Sequence, residues 1–466
     1  MNVRVKFLGG AESVTGSKYL LEIDDFKLLI DCGLFQGLKE LRLRNWDPFP
    51  LDPTSINAVV ITHAHIDHSG YLPLLVKNGF AGPIYCTSAT ASLLDILLKD
   101  AAKLQEEEAE FARKKGYSKH NPPKPLFTIK DAETALSLLE AHEYNMFTSI
   151  TDRIGVQFND AGHILGSSIV TLDIFGQTQK KTIVFSGDLG RYDQPLLYDP
   201  TAIHEADVLF IESTYGDRLN EEENPEAQLA AIVKHAFDRQ GCVLIPSFAV
   251  GRTQLLLYYF HHLLKHKLIP DCKIYIDSPM AINATFLHKR HRKDHRLSVG
   301  ENELVSIFDD RHFQYYKSQD SSVNLNSIGK GAIIISASGM CTGGRILHHL
   351  YHRLPRKEDT LLFVGYQAIG SRGQKILEGD QSSRIFGLDI PVKCHVEQIG
   401  GLSAHADQAE LLKWAGQISN PPKYTFVIHG EPDSSAAFAK KLKSNLAWLN
   451  VIVPKYLESV ELFKGI

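Results

Sequence analysis

The chain has no apolar run as long as the ~18 residues a membrane-spanning helix needs, no Cys-x-x-Cys pair, no Gly-x-x-x-x-Gly-Lys-Ser/Thr loop and no excess of positive charge. Each absence closes off a class. No transmembrane helix is expected, and no P-loop nucleotide hydrolase. Six cysteines (Cys32, Cys86, Cys242, Cys272, Cys341 and Cys394) lie far apart in sequence. That spread fits buried thiols in a reducing compartment better than disulfides or a thiolate metal site. A net charge of −4 argues against a wholesale basic nucleic-acid binder, although a groove needs only a few well-placed cations. The opening segment MNVRVKFLGGAESV mixes charges with apolar residues and lacks a signal-peptide apolar core, so the expectation is a cytoplasmic protein with no membrane association. No internal repeat or low-complexity tract is present.

What is present is a globular composition, 44% hydrophobic and 22% charged over 466 residues, long enough for two domains. VRVKFLGG, SKYLLEI and FKLLID read as strands, and INAVVITHAH (56–65) as an apolar strand running into a histidine cluster. PIYCTS leads into the long helix ATASLLDILLKDAAKLQEEEAEFARKK. NPPKP (121–125) breaks the chain, and DAETALSLLEAH reads as a further helix before the strands RIGVQFND, SIVTLDIF and KTIVFSGD. From about residue 208, four apolar strands each meet a small-residue loop and then a helix, a parallel βαβ pattern: CVLIPS, KIYIDS, GAIIIS and TLLFVGY. After about 390 the pattern returns to strands, with PVKCHVEQIG and KYTFVIHG. A middle α/β block thus interrupts a first domain: 1–208 begins it, 209–390 is inserted, and 391–466 completes it.

Of the 21 histidines, three sit with an aspartate in Thr62-His63-Ala64-His65-Ile66-Asp67-His68. Imidazole nitrogen and carboxylate oxygen are favoured zinc donors. At this spacing His63 and His65 can face one centre while Asp67 and His68 face a second, which suits a two-metal site.

HxHxDH after a strand resembles the metallo-β-lactamase superfamily, and the remaining pieces follow in order. Asp31 in LLIDCG, His163 in DAGHILGS and Asp188 in FSGDLG match its other motifs. Glu212 in LFIESTYG, His405 in GLSAHAD and His429 in FVIHGE resemble motifs A, B and C of the β-CASP group. The resemblance covers residues from about 3 to 460 and extends to bacterial and archaeal ribonucleases related to the pre-mRNA 3′-end processing endonuclease. It implies an α/β fold, an αββα sandwich with an inserted parallel-sheet β-CASP domain. It also implies two zinc ions per chain: His63, His65 and His163 on one, Asp67, His68 and His429 on the other, Asp188 between them, and Asp31 orienting a ligand rather than binding. Two ions activating a water would supply the nucleophile and neutralise the phosphoryl oxygens. Asp67 would accept a proton, His405 would act as general acid, and Glu212 would hold the protonated imidazole. The implied substrate is RNA, single-stranded, cut to 5′-phosphate and 3′-hydroxyl ends; a homodimer is compatible with the resemblance.

The loops closing the inserted strands, PSFAVGRTQ, DSPMA, SASGMCTGGR and GYQAIGSRG, offer small residues to an anion, several at helix starts. Ser247, Arg252, Gly343, Arg345, Gly370 and Arg372 are the substrate-binding candidates, the arginines as planar phosphate forks. Tyr215 and Phe248 could stack a base or pack internally. The basic run 288–293 reads as a solvated helix face or an RNA contact. Two other enzymes compete. A small-molecule hydrolase of this fold would not need the insert, Glu212 or His405, and DNA-directed relatives tend to carry an aliphatic residue where His429 stands. A metal-free partner subunit would have lost ligands, and here none is missing.

Overall fold

The computed structural model describes residues 1–115, 123–177, 179–220, 224–296, 303–365, 367 and 370–466. Residues 121–122 of the expected breaker, and Tyr366, Ala368 and Ile369 of the GYQAIGSRG loop, lie outside them. The chain divides into two compact units. Met1–Gln194, Tyr198–Leu219 and His405–Ile466 form the first; Pro195–Leu197 and Asn220–Ala404 form the second.

Alternating apolar residues build the first unit. Val3, Val5 and Phe7 of the strand Val3–Gly9 are wholly buried while Arg4 is exposed, the period-two signature of a strand with one face in a core. Seven strands form one sheet, in the order Ser459–Phe463, Val3–Gly9, Lys18–Ile23, Phe26–Ile30, Ala58–Val60, Ile84–Thr87 and Leu139–His142. Seven form another: Val451–Ile452, Tyr424–Ile428, Val208–Glu212, Lys180–Phe185, Ser168–Phe175, Ile154–Asp160 and Phe147–Thr151. The sheets share one apolar cluster, with Phe7 and Tyr19 of the first against Phe158, Phe185, Phe210 and Phe426 of the second. The Phe185 and Phe210 rings stack 4.1 Å apart at 11°. Each such ring removed from water stabilises the sandwich by about 1.5–3 kcal/mol. Helices cover the outer faces. Gln408–Ala415 and Pro432–Leu446 bury Trp414 and Phe438 against Leu209, Ile211 and Val427. Ser88–Lys115 lies on the strands Ile84–Thr87 and Leu139–His142, with Ile129–Ser137 packed against it. The layers are therefore αββα.

One helix is shorter than its pattern suggests. Ile129–Ser137 opens on a capping box between Thr128 and Asp131, but the LEAH end of DAETALSLLEAH is a strand, Leu139–His142. It pairs in parallel with Ile84–Thr87, Ile84 opposite Leu139. An open sheet edge outweighs helix propensity there.

The second unit carries a six-stranded sheet, in the order Phe313–Tyr315, Lys273–Asp277, Ala332–Ser336, Val243–Pro246, Thr360–Phe363 and His395–Gln398, every pairing parallel. Both faces are covered, which is why these strands read as unbroken apolar runs. Pro225–Asp238, Arg252–Lys265 and Pro279–Arg290 pack on one face, Ile346–Arg353 and Arg372–Leu377 on the other. The strand His395–Gln398 belongs to this sheet, and the unit runs to Ala404, whereas the sequence reading ended the insert at 390. No helix among the described residues is long and apolar enough to cross a membrane.

Candidate metal centre

Register brings the site together. In the second sheet of the first unit, Val208–Glu212 pairs in parallel with Lys180–Phe185 on one side and Tyr424–Ile428 on the other, with Glu212 opposite Ile428. Asp188, Glu212 and His429 thus emerge at one carboxyl edge. In the first sheet Phe26–Ile30 pairs in parallel with Ala58–Val60, Ile30 opposite Val60, so Asp31 and the 62–68 segment also leave together. His163 lies in the turn joining Ile154–Asp160 to Ser168–Phe175. Gly33 permits the closest approach: a Cβ there would stand 1.6 Å from the Asp67 carbonyl oxygen.

Two donor groups result, His63, His65, His163 and Asp188 in one, Asp67, His68 and His429 in the other. In the first, His63 Nε2 lies 3.1 Å and His163 Nε2 3.3 Å from His65 Nδ1. Asp188 Oδ2 is 3.4 Å from His63 Nε2 and 3.7 Å from His163 Nε2. In the second, the Nε2 atoms of His68 and His429 are 3.4 Å apart, and Asp67 Oδ2 is 3.9 Å from His429 Nε2. Asp188 Oδ1 turns to this group, 3.2 Å from His68 Nε2 and 3.5 Å from His429 Nε2.

These distances fit cations. Two nitrogens each about 2.0–2.1 Å from a tetrahedral ion stand about 3.3 Å apart. Asp188 Oδ1 is buried without a hydrogen-bond partner, a costly arrangement unless another cation meets it. Burial, reinforced by neighbouring histidines, pushes His65 and His163 well below the ordinary imidazole value and His429 to about 3. The neutral ring with a free lone pair is the form that ligates. Burial favours protonating Asp188, but His429, His68 and His63 outweigh it and hold the carboxylate ionised. All seven donors are nitrogen or oxygen, and no cysteine joins either group.

Backbone and side-chain partners orient the rings. Asp31, at φ +58°, accepts from Thr62 N at 2.8 Å, Thr62 Oγ1 at 2.9 Å and His68 Nδ1 at 2.7 Å. With its hydroxyl donated to Asp31, Thr62 Oγ1 is left to accept from His63 Nδ1 at 3.0 Å. Ser17 Oγ lies 2.8 Å from His429 Nδ1. In each case Nδ1 is engaged and Nε2 points to the donor group. Sequence reasoning missed Thr62 and Ser17. Thr62 adjoins the histidine cluster and could have been found there; Ser17 is 412 residues from its partner and carries no local signal.

Glu212 and His405 stand beside the donors. The wholly buried Glu212 carboxylate accepts from Leu189 N at 2.6 Å, Thr214 N at 3.2 Å and His405 Nδ1 at 3.4 Å. His405 is fastened by a bridge to Gly190, and its ring centre is 4.4 Å from that of His163. Burial opposes its protonation, yet Glu212, Asp188 and Asp67 together raise its pKa above the ordinary value.

The six substrate-binding candidates lie in the second unit. Ser247 is buried, its hydroxyl donating to Phe248 O. Gly343 faces open space. So does Gly370, whose N–H donates to Gln374 Oε1 at 2.7 Å. Arg252 packs its guanidinium against Gly365, where a Cβ would meet Nη1 at 2.5 Å. Arg345 donates from Nη1 to Asp277 and Tyr316 O at 2.7 and 2.9 Å, and from Nη2 to Lys317 O at 2.6 Å. Arg372 donates to the carbonyls of Cys341 and Arg384. Internal acceptors thus take up the forks of Arg345 and Arg372. Asp277 anchors Arg345, His349 and Ser322 in the core. Within the basic run, His288 is buried on His295, and Lys289 pairs with Asp309.

The family models that match describe the metallo-β-lactamase superfamily (residues 14–232), a β-CASP domain (253–376) and a Zn-dependent metallo-hydrolase RNA specificity domain (389–454). Ribonuclease TTHA0252 of Thermus thermophilus is 36% identical, over 94% of this chain and 96% of its own. Two Methanocaldococcus jannaschii proteins are also similar. Transcription termination factor FttA is 31% identical over 98% of this chain and 71% of its own. An RNase J-like protein is 30% identical over 98% of each. A crystal structure of a protein of unknown function from Enterococcus faecalis shares the fold, with a TM-score of 0.54 at 14% identity, covering 99% of this chain and 100% of that one.

Proposed function

The chain belongs to the β-CASP ribonuclease family of the metallo-β-lactamase superfamily, a metal-dependent nuclease, and from that premise we propose that it hydrolyses single-stranded RNA at a two-zinc centre. The products are 5′-phosphate and 3′-hydroxyl ends. The observation that carries this reading is Asp188: one carboxylate whose two oxygens face two separate groups of imidazoles.

His63, His65, His163 and Asp188 would hold one ion, and Asp67, His68 and His429 the other, with Asp188 reaching both. Bound there, the ions lower the pKa of a water towards about 7 and neutralise charge on the phosphoryl oxygens. The chain's own residues do the rest. Asp31 and Ser17 keep the imidazoles aimed. Asp67, whose pKa burial raises, is suited to taking a proton from the attacking water. His405 passes a proton to the leaving 3′ oxygen. Glu212 engages its Nδ1, so Nε2 is the transferring atom, and the carboxylate stabilises the imidazolium.

RNA labelled at either end and matched DNA, incubated with zinc-loaded protein of known metal content, test the reading. Two zinc per chain and RNA products bearing 5′-phosphates are expected. Hydrolysis of small esters but not RNA would assign the fold to another hydrolase. Equal cleavage of DNA would remove the RNA preference.

A further inference from the structure

The parallel sheet of the second unit changes direction between two neighbouring strands. From Val243–Pro246 the chain crosses through the helix Arg252–Lys265 to Lys273–Asp277. From Ala332–Ser336 it crosses through Ile346–Arg353 the opposite way, to Thr360–Phe363. The two helices lie on opposite faces: Leu256, Phe260 and Leu263 pack with Ile245 and Ile335, Ile346 and Leu350 with Leu244 and Ile334. The loops leaving Pro246 and Ser336 therefore part, and in open α/β sheets ligands bind in the crevice at such a point.

Phe248 stands there. The residue is 42% exposed, and its loop is held firmly. The Phe248 carbonyl accepts from Thr253 Oγ1 at 2.8 Å and Thr253 N at 3.3 Å, and Ser247 N donates to Ser336 O at 3.0 Å. Gly339, from the loop after the other strand, supports the ring: a Cβ on Gly339 would come within 3.0 Å of ring atoms Cδ2 and Cε2. The aromatic thus spans both loops with its remaining surface in water. The loop that supplies Gly339 also holds the paired hydroxyls of Ser338 and Thr342 and the open space at Gly343. Its sequence neighbours Ala249 and Val250 are buried, so its own loop does not extend the ring into a continuous exposed apolar stretch. That suits a nucleobase, which has an apolar face and a polar edge, better than a protein surface, which needs a contiguous apolar patch.

We propose that Phe248 stacks a base of the RNA substrate, gripping the strand without regard to sequence, because every base offers a π-face. The inference rests on the ribonuclease reading above.

Phe248→Ala, Phe248→Trp and Gly339→Ala, each in the zinc-loaded full chain, test it against single-stranded RNA and against bis(p-nitrophenyl) phosphate, which has no nucleobase. Loss of one base stack should raise KM for RNA roughly 5- to 150-fold in Phe248→Ala, with kcat unchanged. Phe248→Trp should keep the parent KM, and its indole emission should be quenched by RNA. Gly339→Ala, which displaces the ring, should raise KM in the same direction. Hydrolysis of the small ester should be unaltered throughout. An unchanged KM in Phe248→Ala overturns the proposal. So does a shift in sedimentation in that variant, which would assign the ring to a second copy of the chain. Parent enzyme that cleaves the small ester but not RNA would instead refute the ribonuclease reading.

Discussion

Asp31 and His68, 37 residues apart, meet at 2.7 Å through Oδ2 and Nδ1, and the same carboxylate reaches His63 through the Thr62 hydroxyl. One buried acid therefore orients a ligand in each donor group.

Asp31→Asn isolates that role, because asparagine tolerates the left-handed backbone at this position while losing the charge. Apparent affinity should fall about 10–100-fold at both metal positions, measured by chelator competition. A loss confined to the His68 group would show that the relay through Thr62 carries nothing.

His405→Ala should lower kcat by about 10²–10⁴-fold while metal content stays at the parent value. Glu212→Gln removes a charge that raises the His405 pKa. An acid must be protonated to act, so activity is lost as pH climbs through its pKa. The alkaline limb of kcat against pH should therefore move to lower pH in Glu212→Gln. A limb that stays in place would assign it to another group.

Arg345 separates phosphate binding from internal anchoring. Removing it leaves the wholly buried Asp277 with only His349 and Ser322 as partners, and losing one side of a buried ion pair costs up to about 3–5 kcal/mol. Arg345→Ala should lower the melting temperature sharply, while the salt dependence of KM for RNA keeps its slope. A shallower slope at unchanged stability would restore Arg345 as a phosphate fork.

Lys18 gives a pH-dependent stability. Its ammonium is buried over the rings of Phe35 and Tyr71, at 4.4 and 5.0 Å. Burial lowers its pKa from 10.5 to about 8, against the opposing influence of Cys32. Between those values the unfolded chain binds the proton and the folded one does not, so stability rises with pH across that window. Lys18→Met should flatten this rise in thermal melts recorded from pH 8 to 10.5. Parallel curves for parent and variant would locate the dependence elsewhere.

The donor set was legible because each donor follows an apolar strand or a tight turn, where a short motif reports both position and exposure. His63, His65 and His68 are written contiguously; Asp188 and His429 each end a hydrophobic run. The arginines of the second unit were less legible. A guanidinium in a glycine-rich loop looks alike whether phosphate or a carbonyl of its own chain receives its N–H groups, and only the fold reveals Asp277, Tyr316 and Lys317 as the acceptors for Arg345. The LEAH segment escaped for a related reason: its partner strand lies some 55 residues earlier, Ile84 opposite Leu139, beyond any local pattern.

The pairing of Tyr424–Ile428 onto Val208–Glu212 also sets the order in which the molecule becomes competent during its own synthesis. Translation delivers the N-terminal donors first, and His429 follows His68 by 361 residues. A nascent chain that has not reached it therefore lacks one of the three side chains of the second donor group.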